Sequence, residues 1–268
     1  MIDAHVHTLF SHDGISSMEE YMKAAKEKGV DEITFTEHWD DYTGMQSSLQ
    51  AVDIPAYYAE YLRIKEKYES PRINFGIEMG LQPDIHDKVH EVVCSYPFDF
   101  VIGSSHITNK KDMAMDSSFF AGLTRYEAYM IYFREVLQNI TVHDDFDVYG
   151  HLDYVARYGG YEEKVIRYAE FSDILDEILR LLIRRDKGLE LNTSGIRKGL
   201  PFPHPNADIL RRYRELGGRI ITLGSDAHII RDLAADFAYA KEILSDIGFS
   251  EIAVYHGRKP DFVKINSL

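Results

Sequence analysis

Nine side chains able to ligate a metal ion punctuate this sequence at the ends of short apolar runs. "DAHVHTLFSHDG" carries His5, His7 and His12, and "TEHWDD" carries His38. "GIEMG" carries Glu78, "GSSH" carries His106, "YGHLD" carries His151, and "GSDAH" carries Asp226 and His228. On a strand, alternate side chains share a face, so His5 and His7 point together and can reach one ion. An isolated H-x-H is a weak signal; here six of seven predicted strands deliver an imidazole or a carboxylate at their C-terminal ends. Seven imidazoles and two carboxylates exceed a single zinc sphere of about four ligands and suit two or three ions sharing a bridging carboxylate. Imidazole dominance disfavours Mg²⁺ and Ca²⁺ and leaves Zn, Mn or Fe.

The elements that must position these groups follow from hydropathy. Buried strands are predicted at 2–6, 32–36, 73–78, 100–105, 147–152, 189–193 and 219–225, with a further run at 252–256 that reads as an eighth strand or an edge piece. Helical spacing fills the intervals. Ser17 and Glu20 form a capping-box signature before Met18, Met22 and Ala25, and the stretch ends at Gly29. Tyr57, Tyr61, Ile64 and Tyr68 repeat the rhythm, as do Tyr126, Met130, Phe133 and Leu137. So do "FSDILDEILRLLIRR" and "NADILRRYRELGG", the latter with a predicted cap at Asn206. Strand followed by helix, repeated, implies a parallel sheet. Ligands from so many strands converge more easily on the rim of a closed barrel than at the switch point of an open sheet. The expected fold is therefore an α/β, TIM-like (β/α)7 barrel, with residues 1–268 as a single domain.

Other histidines read differently. His86 and His90 have ligand spacing on a predicted helix but read as a solvated face. His143 reads as a loop residue, and His204 and His256 stand where either could overhang the rim without a partner at ligand spacing. Asp40 and Asp41 read as solvated loop charges.

Three divalent ions bring +6, and Glu78 with Asp226 remove 2, leaving about +4 if the ligating imidazoles are neutral. A chain of net charge −14 would then hold a local cationic pocket suited to a small anionic substrate. Phosphoryl transfer fits, since paired metals can clamp the entering and leaving oxygens of a displacement at phosphorus. Arg157 in "YVARYGG" and Arg197 in "NTSGIRKG" follow predicted strands at the ligand-bearing end and are expected to contact phosphate. Lys198 reads equally as a phosphate contact and as a surface cation.

The bulk numbers exclude several classes. Net charge of −14 without a basic stripe argues against long nucleic acid and anionic membranes as partners. The first residues lack a basic and then apolar leader pattern, and no apolar run is long enough to span a bilayer. One cysteine, Cys94, forbids an intrachain disulfide and suits a reducing cytoplasm. Homo-oligomerisation is left open.

The ordered motifs "DAHVHTLFSHDG", "TEHWDD", "GIEMG", "VIGSSH", "VYGHLDYVARYGG", "LELNTSGIRKG" and "LGSDAH" resemble the PHP superfamily, the polymerase and histidinol phosphatase domain, nearly end to end. Within it the chain is most similar to the monofunctional histidinol-phosphatases. The resemblance implies a distorted (β/α)7 barrel with a trinuclear metal centre. One ion would be held by His5, His7, Glu78 and Asp226. A second would share Glu78 and add His106 and His151. A third would take His12, His38 and His228. It further implies hydrolysis of L-histidinol phosphate to L-histidinol and phosphate, in histidine biosynthesis. On that reading a metal-bound hydroxide, held by Glu78 and Asp226, attacks phosphorus in line, and Arg157 and Arg197 neutralise the equatorial oxygens. Alternatives are a phosphoesterase of the same fold acting on a nucleotide or other small phosphate ester, a metal-dependent amidohydrolase, and a non-enzymatic, metal-stabilised binding domain.

Overall fold

Seven parallel strands form one sheet that curls nearly shut, with helices packed around it. In the computed structural model, which describes residues 1–267 except 46 and 48, the strands are β1 (Ile2–Val6), β2 (Glu32–Trp39), β3 (Arg72–Gly80), β4 (Phe100–Ser104), β7 (Val148–Tyr149), β8 (Gly188–Asn192) and β9 (Ile221–Gly224). They pair in the order β1-β2-β3-β4-β7-β8-β9. The ends meet: the His7 amide donates to the Ala227 carbonyl at 2.9 Å and the Asp226 amide donates to the His5 carbonyl at 2.8 Å. The distortion is local. β2 and β3 are in register from Glu32–Arg72 to Trp39–Met79, whereas β7 meets each neighbour only through Val148 and Tyr149.

The crossovers are α1 (Met18–Lys28), α2 (Ile54–Lys67), α3 (His86–Ser95), α4 (Arg125–Val142), α5 (Ser172–Arg184) and α7 (Ala207–Glu215), and α8 (Phe237–Ile247) follows β9. A short turn of helix, α6 (Ser194–Arg197), follows β8, and a small hairpin, β5 (Ile107–Thr108) with β6 (Lys111–Asp112), follows β4. Local sequence explains the helix boundaries. Ser17 and Glu20 close a capping box at α1, which ends on Gly29 in the left-handed conformation, where glycine carries no Cβ penalty. Thr124 and Glu127 repeat the box at α4, and Asn206 caps α7. Among the described residues no helix is long and apolar enough to cross a membrane.

The run at 252–256 does not join the barrel sheet. It is β10 (Glu251–His256), antiparallel to β11 (Lys259–Lys264), and it plugs the end where the strands begin. Ala253 and Tyr255 pack with Ala4, Phe100, Ile102 and Val148 from the barrel interior, and the Tyr255 ring stacks on Phe100 with centroids 5.0 Å apart. Arg258 fastens the turn, its Nε donating to Asp147 Oδ2 at 2.6 Å. With the bottom filled, the opposite end is the open one. Tyr255→Ala should therefore lower stability by about 3 kcal/mol or more, the cost of deleting a buried ring. Denaturant unfolding measures this, and metal content of the folded protein should be unchanged.

Candidate metal centre

The open end is built around Glu78, the residue that β3 sets directly beside His38 in the β2–β3 register. Its carboxylate is fully buried. Five imidazole nitrogens surround it: His38 Nδ1 at 2.9 Å, His5 Nε2 at 3.3 Å and His7 Nε2 at 3.4 Å on Oε2, and His151 Nε2 at 2.8 Å and His106 Nε2 at 3.2 Å on Oε1. Asp226 Oδ1 lies 3.5 Å from His7 Nε2 and 3.8 Å from His5 Nε2. His38 Nε2 lies 3.3 Å from His228 Nε2. Asp226 reaches this position from a left-handed backbone with φ of 55°, a conformation an aspartate holds only when its surroundings fix it.

The donor set fits metal ions. Four ligands about 2.1 Å from a tetrahedral zinc are separated by about 3.4 Å, and the spacings around Glu78 bracket that edge. Donor atoms converge in the groups His5–His7–Glu78, Glu78–His106–His151 and His7–His38–His228. Glu78 Oε2 and His38 Nδ1 are buried 2.9 Å apart without the alignment of a hydrogen bond, and neither finds another partner among the described residues, the condition of groups whose partner is an ion. His12 is exposed and stands outside these groups, its ring 5.5 Å from that of His38 at the edge of the same mouth.

Carboxylates and a carbonyl behind the imidazoles orient them. His106 Nδ1 faces Asp40 Oδ1 at 3.0 Å, His5 Nδ1 faces Glu190 Oε1 at 2.5 Å, and His228 Nδ1 faces the Asp226 carbonyl at 3.0 Å. A ring whose Nδ1–H is donated outward presents its Nε2 lone pair inward, toward the ion position. Two glycines make room for these supports. A Cβ on Gly80 would lie 1.8 Å from Asp40 Oδ1, and one on Gly224 would lie 2.4 Å from Glu190 Oε1.

Electrostatics follows from this packing. Burial alone would raise the Glu78 carboxyl, but His106, His5 and His38 outweigh it and hold it well below the ordinary carboxylate range. Asp226 is held low in the same way, chiefly by His5 and His228. Burial pushes His5 and His106 down, yet their carboxylate neighbours, Glu190 first for His5 and Asp40 first for His106, hold both well above the usual imidazole value. His38 is pushed up to about 9 by Glu78 against its burial. His7 is held well below, by burial and then by His38 and His228.

Arg157 enters the same mouth. Its Nη2 lies 3.3 Å from Asp226 Oδ2 and donates to Ser194 Oγ, and its Nε donates to His204 Nε2 at 2.9 Å. Nη1 has no hydrogen-bond partner among the described residues, and Arg157 lines a cavity of ≈ 430 Å³ together with Asp226, His228, Tyr154 and Lys198. Arg197 is placed elsewhere. Its Nη2 donates to the Ser225 carbonyl, its Nη1 lies 3.2 Å from Asp236 Oδ2, and its Nε lies 3.5 Å from Asp232 Oδ2. These partners hold its fork on the segment after β9, outside the residues that line the cavity, where the guanidinium clamps the loop that carries Asp226 and His228.

Several participants were missed or misread in the sequence. Asp40 is buried rather than solvated, while Asp41 pairs outward with Lys88 at 2.6 Å. His143 is no loose loop residue: it is fully buried, Nε2 lying 2.8 Å from the Gln82 carbonyl. His204 does reach the mouth, held by Asp153 on Nδ1 and by Arg157 on Nε2. His256 sits at the far end, 2.8 Å from Glu32 at the start of β2. Asp13 approaches His228 Nε2 at 3.1 Å. Glu190 carried a usable signal: a charged residue in the strand "LELNT", on the same face as Asn192, has to point into the barrel and needs partners there.

Comparison with known proteins agrees with this geometry. Residues 3–194 match the PHP domain family. The histidinol-phosphatase of Lactococcus lactis subsp. lactis is 34% identical over 97% of this chain and 96% of its own length. A probable histidinol-phosphatase of Clostridium acetobutylicum is 31% identical over 94% of this chain and 96% of its own. The crystal structure of histidinol phosphate phosphatase from Lactococcus lactis, complexed with zinc, L-histidinol and phosphate, superposes with a TM-score of 0.87 at 33% identity, covering 97% of this chain and 98% of that one. An imidazole–carboxylate mouth converging on Glu78, the family match over residues 3–194 and near-full-length similarity lead to one conclusion: this chain belongs to the PHP domain family.

Proposed function

We propose that the protein is a metal-dependent phosphatase that hydrolyses L-histidinol phosphate to L-histidinol and phosphate. The observation that carries this reading is a Glu78 carboxylate whose two oxygens face separate imidazole groups, with the Arg157 fork opening onto the same cavity. The similar Lactococcus lactis enzyme binds zinc, L-histidinol and phosphate, which supports the substrate. We also read the 268 residues as one barrel domain, and, from the single cysteine, place it in the cytoplasm. A long nucleic acid is not part of this reading, because a net charge of −14 repels one.

His5, His7, His38, Glu78, His106, His151, Asp226 and His228, with His12 at the edge, would hold two or three divalent ions (Zn, Mn or Fe), which would supply Lewis-acid charge to a phosphoryl group and acidify a water. The chain's own residues do the rest. Glu78 and Asp226 hold negative charge in place between the ion positions. Arg157 binds a phosphoryl oxygen through Nη1, and its planar fork is fixed for this by Ser194, His204 and the Tyr154 ring 4.8 Å below it. Lys198 adds positive charge at the cavity wall. The barrel interior beneath is filled, so substrate enters and leaves only from the mouth.

Metal-loaded protein assayed on a panel of phosphomonoesters should prefer histidinol phosphate; a preference for nucleotides would reject the substrate assignment. Glu78→Gln should cut turnover by at least about 100-fold, more than the loss of an outer hydrogen-bond partner costs, while circular dichroism stays native. Arg157→Ala should reduce kcat/KM by about 100-fold with metal content retained, whereas Arg197→Ala should leave kcat/KM within about threefold and lower the melting temperature. Without metal, the carboxylates around His5, His38 and His106 raise their values and favour the protonated forms. Ligation needs them neutral. Metal binding should therefore release protons, and affinity should rise with pH; calorimetry in buffers of different ionisation enthalpy measures the number released.

A further inference from the structure

Outside the barrel mouth the described residues contain one more group of converging metal-binding atoms. α3 presents His90 and Cys94 one turn apart, and Asp145, just ahead of β7, approaches from a different part of the chain. His90 Nδ1 lies 3.0 Å from Asp145 Oδ2 and 3.8 Å from Cys94 Sγ, and the three donor atoms all fall within 4.8 Å of one another. The sulfur lies 3.7 Å from Nε2 as well, so it stands over the imidazole ring within reach of either nitrogen, while the carboxylate faces Nδ1. Zinc bonds of about 2.0–2.1 Å to nitrogen or oxygen and about 2.3 Å to sulfur give tetrahedral edges of about 3.3 Å between N and O and about 3.6 Å between N and S. The observed N–O distance of 3.0 Å and N–S distances of 3.7 and 3.8 Å lie within a few tenths of an ångström of those edges.

Charge and access agree. A thiolate and a carboxylate balance a divalent ion with a neutral imidazole as third ligand, and binding expels the thiol proton. His90 and Cys94 are exposed, so a fourth position is open to water. Sulfur with imidazole selects thiophilic borderline ions over Mg²⁺ or Ca²⁺. We propose that His90, Cys94 and Asp145 form a surface site for a thiophilic divalent transition metal, separate from the centre at the barrel mouth. Its occupation ties α3 to the segment entering β7.

Cobalt tests this directly, because Cys94 is the only cysteine and the mouth contains no sulfur ligand. Zinc-loaded protein, kept reduced with a phosphine, is titrated with Co²⁺. A thiolate-to-cobalt charge-transfer band in the near ultraviolet should grow to saturation at one ion per chain and bleach on adding excess Zn²⁺. Cys94→Ser should abolish the band while leaving turnover unchanged. His90→Ala and Asp145→Ala should each weaken Co²⁺ binding at least about tenfold. No band, equal affinity in the His90 and Asp145 variants, or saturation at half an ion per chain with dimerisation would each overturn the site.

Discussion

A carboxylate with no exposure to water and five imidazoles around it is the constraint on which the rest of the structure depends. Taking Glu78 out of solvent as an anion is tolerable only where positive charge is supplied on both of its oxygens. The raised values of His5, His38 and His106 favour positive charge on the imidazoles around it in the metal-free protein, and divalent ions would supply it in the loaded one. The same site therefore stabilises the fold and holds the reagents of the reaction. Each Glu78 oxygen faces its own group of imidazoles, so removing the Glu78 charge would disturb both groups at once.

The scaffold serves that charge cluster in layers. Parallel strands bring their C-terminal ends to one rim, so side chains from residue 5 to residue 228 meet within hydrogen-bonding distance. Behind them, Asp40 and Glu190 turn imidazole lone pairs inward, and Gly80 and Gly224 leave the volume those carboxylates occupy. Farther out, the Asp153–His204 pair and Ser194 fix Arg157. Below, the hairpin β10–β11 fills the barrel with Ala253 and Tyr255. Each layer removes a freedom from the one above it.

The residues that converge on Glu78 are legible in the sequence because their signal is local: an imidazole or carboxylate at the end of a buried run, in phase with a two-residue repeat; His12, read with them, stands outside the converging groups. The barrel followed from the number of strands that had to share one mouth. The outer partners were harder to see. Asp40 looked like one more polar residue in "TEHWDD", and only the close approach permitted by Gly80 reveals its contact with His106. Arg197 and Arg157 occupy comparable places after their strands, yet three acceptors near β9 draw one guanidinium aside and leave the other on the cavity. A choice of that kind depends on loop packing, which periodicity does not encode. The run 252–256 has the composition of a barrel strand, and nothing local distinguishes an eighth strand from a plug.

Anomalous diffraction from crystals of the metal-loaded protein tests the central claim most directly. The account predicts at least two strong peaks flanking Glu78, one within bonding distance of Oε1 and shared with His106 and His151, the other within bonding distance of Oε2 and shared with His5 and His7. Peaks confined to positions that Glu78 does not touch, or a single ion bound by only one of its oxygens, would contradict it.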